Sequence, residues 1–203
     1  MLTSLPNLLT LSRIAAVPLL VLLVAFRLPA ADFAACVVFS GAAITDYFDG
    51  HIARLRRQTS NLGRMLDPIA DKLLVGAALI LLAGSGRLAP WAIYPAIVIL
   101  LREILVSGLR EYLAGLRVGL PVTQLAKWKT GFQMGALGTL LAGDASARLL
   151  GVPWLPVQAI GEAQLWVAAA LTLWTGWDYL MAGVRHATGT APREIAPEAA
   201  HRP

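Results

Sequence analysis

Six apolar runs, each long enough for a membrane-length helix, limit what this chain can fold into. They fall at roughly 6–26, 32–55, 63–84, 90–113, 125–143 and 158–184, about 19–27 residues each. A helix rises ~1.5 Å per residue, so every run can cross a hydrocarbon core of ~30 Å. Hydrophobic residues make up 57% of the 203 positions and charged ones 14%, too few charges for a soluble domain of this length. The expected fold is an all-α integral membrane protein with six transmembrane helices. A short amphipathic segment, "TSLPNLLTLSR", is expected to lie along the interface ahead of the first span. Residues 1–186 read as one membrane domain. The Ala/Pro-rich segment 187–203 reads as a disordered tail. The first run lacks a small-residue cleavage site before a polar stretch, so a cleaved signal peptide is not expected.

Charge fixes an orientation. Of the 17 Lys and Arg, Arg27, Arg87 and Arg148 fall on one side of the alternating loops, and the other 14 fall on the side of both termini. The positive-inside bias then places both termini in the cytoplasm. The net charge of +5 is explained by the same bias, so no nucleic-acid partner is expected. Trp91, Trp154 and Trp166 lie near span ends, where indoles sit well. The single cysteine, Cys36, excludes an intramolecular disulfide and reads as helix packing. Pro18 is expected to kink the first span.

The segment "DYFDGHIARLRRQTSNLGRMLDPIAD", residues 46–71, breaks the apolar pattern with four aspartates. Asp46 and Asp49 are spaced i, i+3 near the end of the second run, and Gly50, Ala53 and Arg54 continue the same helical face. Asp67 and Asp71 are spaced i, i+4 on the third run. Pro68 suits an opening helical turn, so the third helix is expected to begin nearer Leu66 than Gly63. A tight loop between antiparallel neighbours would gather the four carboxylates. Their mutual repulsion near a bilayer demands cations. Oxygen-only ligands suit Mg²⁺, Mn²⁺ or Ca²⁺, and four carboxylates suit a two-metal centre that clamps a phosphate. Arg54 can offer a phosphate a fork of donors, and Gly50 and Ala53 leave room beside it. The plainer reading, simple pairing with Arg54, Arg56, Arg57 and Arg64, suits any single aspartate better than four at helix-facing spacings.

The spacing Asp46-x2-Asp49-Gly50-x2-Ala53-Arg54-x8-Gly63-x3-Asp67-x3-Asp71 resembles in full the signature of the CDP-alcohol phosphatidyltransferases. "PNLLTLSRI", "LDPIADK", "REILVSGLRE" and "AKWKTGFQ" are similar to the branch that uses sn-glycerol 3-phosphate as acceptor, and the likeness spans about residues 5–184. The resemblance implies an enzyme of phospholipid biosynthesis. An acceptor hydroxyl attacks the β-phosphorus of CDP-diacylglycerol and releases CMP. It implies two divalent cations, Mg²⁺ or Mn²⁺, on Asp46, Asp49, Asp67 and Asp71, with Asp71 also the general base. A metal-bound carboxylate is a weak base, so Asp71 must be loosely ligated in that role. Gly50, Ala53 and Arg54 would contact the CDP-lipid, as would Asn7 and Thr10, which read equally well as helix capping. His51 falls at an unfixed position and carries no expected role.

The acceptor's own phosphate requires further cations. Arg64, Arg102, Arg110, Lys127 and Lys129 are the candidates, with Lys72 near the aspartates and Glu103 and Glu111 as counter-charges. Arg56, Arg57 and Arg117 read better as anchors at the lipid surface. Inositol phosphate is an alternative acceptor, whereas serine would need fewer cations. A cation transporter is the alternative from another class, but its carboxylates should lie near the bilayer midplane. The resemblance also implies a homodimer in the cell inner (cytoplasmic) membrane, multi-pass, with its active site facing the cytoplasm.

Overall fold

The computed structural model of the chain describes residues 5–56, 61–115 and 124–187. Within them, the side chains of 5–6, 46–56, 61–62, 64, 178, 182 and 185–187 lie outside the described set. The tail from 188 and the anchors Arg57 and Arg117 also lie outside it, as does the side chain of Arg56.

Helices make up the fold: α1 (Leu5–Ala25), α2 (Pro29–Arg56), α3 (Asn61–Gly84), α4 (Ile93–Gly115), α5 (Gln124–Leu149) and α6 (Val157–Ala187). A 3-10 turn, Pro90–Ala92, leads into α4. Asn7–Ala25 and Pro90–Gly115 are long and apolar enough to cross a membrane, and Pro29–Thr45 is a shorter apolar helix. Charged residues in α3 interrupt its apolar run.

The chain folds up and down, and α5 and α6 form the most extensive pair. α1 lies against both α2 and α3, and α6 against α4. Leu20, Phe39, Leu74, Leu82, Ile99, Leu137, Leu140 and Leu165 fill the interior. Other large apolar side chains face outward, among them Leu22, Ile80, Trp91, Tyr94, Leu101, Trp154 and Trp174. Such a surface suits a lipid solvent and not water. In lipid the interhelical contacts come from close packing, and small residues permit it. A Cβ at Gly161 would lie 2.7 Å from Leu140 Cγ, and one at Gly183 would lie 2.5 Å from Leu109 Cδ1.

Three boundaries differ from the sequence reading. α1 runs unbroken from Leu5 through Pro18, so the polar lead-in continues into the span. Its Asn7, Thr10 and Arg13 are buried against the protein. α3 begins at Asn61 and contains Pro68 in its interior. Pro68 is exposed, so its ring displaces no packed neighbour. α5 continues to Leu149 past a break at Gly143, whose φ of 62° favours glycine. That extension is held in place: Ser146 Oγ donates to Pro29 O at 3.4 Å, and Asp144 Oδ1 accepts from the Gln158 amide at 2.9 Å. The second bond caps the first turn of α6.

A polar clasp closes this end of the bundle. Arg87 pairs with Asp32 of α2 and donates Nη1 to Leu141 O at 3.0 Å. Gln158 donates to Arg87 O and, at 2.9 Å, to Glu162 Oε1. Glu162 also accepts from the Ala89 amide at 3.1 Å. One arginine thereby joins α2, α5, α6 and the loop before α4.

Candidate functional site between the helices

Asp46, Asp49, Gly50, Ala53 and Arg54 share one face of the last turns of α2. Their side chains, and that of Arg64, lie outside the described set. Opposite them in the chain, α3 presents Asp67 and Asp71 one turn apart.

α1 holds Asp67 in place. Asn7, Thr10 and Arg13 follow at i, i+3 and i+6 and are 2%, 1% and 2% exposed. Thr10 Oγ1 donates to Asp67 Oδ1, and Arg13 Nη2 lies 3.2 Å from the same oxygen. Both donors fall on Oδ1, while the carboxylate stays half exposed. Arg13 was missed as a site residue from sequence. Its signal was a lone charge in an apolar run, one turn after Thr10. Asp71 is partly buried. Lys72 turns back and donates to Pro68 O at 3.2 Å.

A second polar group lies across from this face at the same end of the bundle. Arg102 of α4 donates Nη2 to Thr175 Oγ1 of α6 at 3.0 Å and places Nη1 3.3 Å from Glu103 Oε1. Gly176 leaves room for it: a Cβ there would lie 3.2 Å from Arg102 Cγ. Lys129 of α5 is buried and donates to the same Glu103 oxygen. Arg110, two turns beyond Arg102, donates to the Tyr179 hydroxyl at 3.0 Å. Both guanidiniums flank the Tyr179 ring, at 5.7 and 5.1 Å from its centroid. Lys127 is exposed, because residues two apart point to opposite sides of a helix.

The two groups adjoin. Asp71 acts electrostatically on Lys129, and Lys72 acts on Glu103. Asp71 on α3 is thus within electrostatic reach of the buried Lys129 on α5. Among the described residues no three His, Cys, Asp or Glu side chains form a cluster, and those residues exclude the Asp46 and Asp49 side chains.

Fold and site together define an apolar helical membrane protein with carboxylates on α3 and a hydrogen-bonded group of cations on α4 and α5. The chain belongs to the CDP-alcohol phosphatidyltransferase family, whose sequence profile matches residues 3–174. It is similar to the CDP-diacylglycerol–glycerol-3-phosphate 3-phosphatidyltransferase of Cereibacter sphaeroides, 42% identical over 87% of this chain and 93% of the relative. The protein of the same name from Rickettsia bellii is 44% identical over 88% of this chain and 94% of its own. The one from Pectobacterium atrosepticum is 42% identical over 90% and 96%.

Proposed function

We propose that this chain transfers the phosphatidyl group of CDP-diacylglycerol to sn-glycerol 3-phosphate, giving phosphatidylglycerophosphate and CMP. The observation that carries this reading is the Lys129–Glu103–Arg102 group, joined across α4 and α5 at the end of the bundle where α3 carries Asp67 and Asp71. A pyrophosphate donor calls for cations held by carboxylates, and an acceptor with its own phosphate calls for a second set of positive charges. The aspartates of α2 and α3 are read as the first set, and Arg102, Arg110 and Lys129 as the second. The relatives with the same reaction in their names support it over most of their length.

Asp46, Asp49, Asp67 and Asp71 would hold two divalent cations, Mg²⁺ or Mn²⁺. The donor chemistry fits, since all the ligands are carboxylate oxygens and Asp67 is half exposed with its two donors on one oxygen. When bound, the ions supply positive charge to the donor pyrophosphate and to the departing phosphate of CMP. Thr10 and Arg13 fix Asp67, and Asn7 lines the same face of α1. Gly50 and Ala53 form the wall for the cytidine, and Arg54 meets the nucleotide phosphates. Asp71 accepts the proton of the attacking hydroxyl as the new P–O bond forms and the bond to CMP breaks. Arg102, Arg110 and Lys129 receive the acceptor's phosphate. Arg64 and the exposed Lys127 add positive charge at the rim.

All six helices are taken to span the cell inner (cytoplasmic) membrane, with the site and both termini facing the cytoplasm. The chain is taken to act as a homodimer. The expected test result is that purified protein binds CDP-diacylglycerol in a Mg²⁺-dependent way. Protein that bound neither nucleotide nor metal would contradict the reading.

A further inference from the structure

The Lys129–Glu103 pair bridges two helices that otherwise scarcely meet. α4 and α5 each pack along α6, and among the described residues they have no extended contact with each other. Lys129 therefore links α5 to α4 alongside α6. Glu103 takes both Lys129 Nζ and Arg102 Nη1 on Oε1. Donor capacity is left over around them. Arg102 Nε is buried without a partner. Of the three N–H groups on Lys129 Nζ, one is accounted for. Arg102 and Lys129 share the one Glu103 oxygen, and Arg110 bonds the neutral Tyr179 hydroxyl, so the cations bonded here outnumber the carboxylate and suit a phosphate.

We propose that Glu103 is a positioning residue that parks Lys129 between α5 and α4 and competes with the incoming phosphate for it. Binding of the anion exchanges the partner of Lys129, from the Glu103 carboxylate to a phosphate oxygen. Without a bound anion, Glu103 thus holds the site together against repulsion among its cations. It also weakens anion binding, because a carboxylate a few ångströms from a phosphate repels it in this low-dielectric setting. This rests on the reading of Arg102, Arg110 and Lys129 as the acceptor-phosphate site.

Glu103→Gln separates charge from position. The amide keeps an oxygen at Oε1 that accepts from Lys129 but carries no negative charge. The experiment titrates the full-length purified protein with inorganic phosphate, read by thermal shift, and measures acceptor kinetics alongside. The expected result is that Glu103→Gln binds inorganic phosphate about tenfold more tightly than the wild type. KM for sn-glycerol 3-phosphate should fall with it, and kcat should fall as product leaves more slowly. Unchanged or weaker phosphate binding, or a raised KM, would overturn the proposal. If Glu103→Gln does not fold, Glu103→Asp serves: its shorter side chain loosens the pair, so phosphate should bind more tightly than in the wild type. Binding no tighter than the wild type would be contrary. The phosphate titration needs no turnover. Tightened binding without CMP release would therefore leave the role of Glu103 standing and remove the transfer reaction.

Discussion

Arg13 on α1 places Nη2 3.2 Å from Oδ1 of Asp67 on α3, and the arginine is buried while the aspartate is half exposed. An ion pair with one exposed partner contributes little to stability, ~1 kcal/mol. Its larger effect should be on the direction in which Asp67 presents its other oxygen. Arg13→Met is expected to lower CMP release at least tenfold while lowering the unfolding temperature by only a few degrees. Arg13→Lys should restore part of the activity. Activity and stability measured on the same preparations check this, and a purely proportional loss of both would mean that Arg13 merely packs.

Asp71→Asn should abolish turnover yet leave CDP-lipid binding partly intact. The amide keeps the shape of the carboxylate and cannot accept the proton. Loss of a general base typically lowers rate by ~10²–10⁴-fold. Single-turnover CMP release beside a CDP-diacylglycerol binding assay makes the comparison, and full activity would remove the base assignment.

The Arg87–Asp32 pair is remote from Asp71, at the other end of the bundle, and both side chains are well covered, at 16% and 12% exposed. Breaking a buried pair by removing one partner costs ~3–5 kcal/mol, because the other charge is left uncompensated. Asp32→Leu and Arg87→Met should each lower thermal stability sharply. The double variant should recover much of the loss, with KM for the acceptor unchanged in all three. Additive losses in the double-mutant cycle would show that the two charges act independently.

Gly161 and Gly183 both lie against leucines, but the obstacles differ. A Cβ at Gly161 meets Leu140 Cγ at 2.7 Å and its backbone N at 3.2 Å. At Gly183 the nearest atom is Leu109 Cδ1, the tip of a side chain that can rotate away. Overpacking typically costs ~1–3 kcal/mol. Gly161→Ala is expected to fall at the high end and Gly183→Ala at the low end in thermal unfolding.

The helices were readable from the sequence because an apolar run of span length makes much the same helix whatever its neighbours. Contacts from distant segments were harder to read. "GDASARLL" looks like a loop until Pro29 O and the Gln158 amide supply partners for Ser146 and Asp144. Pro68 looks like a helix start because proline tolerates first turns, and nothing local shows that its ring faces outward. The spacing of Asp67 and Asp71 on one face was legible, since helical period alone decides it. That Thr10 and Arg13 converge on Asp67 was not, because the partners lie 57 and 54 residues apart in sequence. Grouping Lys127 with Lys129 overlooked the same period that aligned the aspartates. The carboxylate of Glu103 was legible as a counter-charge but not as a bridge from α4 to α5.

CMP release from CDP-diacylglycerol, followed against a panel of acceptors with and without Mg²⁺, tests the proposed reaction most directly. Release is expected with sn-glycerol 3-phosphate and a divalent cation together, and not with either omitted. Release driven equally well by serine or by inositol phosphate would contradict the acceptor assignment. Absence of release under every condition would contradict phosphatidyl transfer itself.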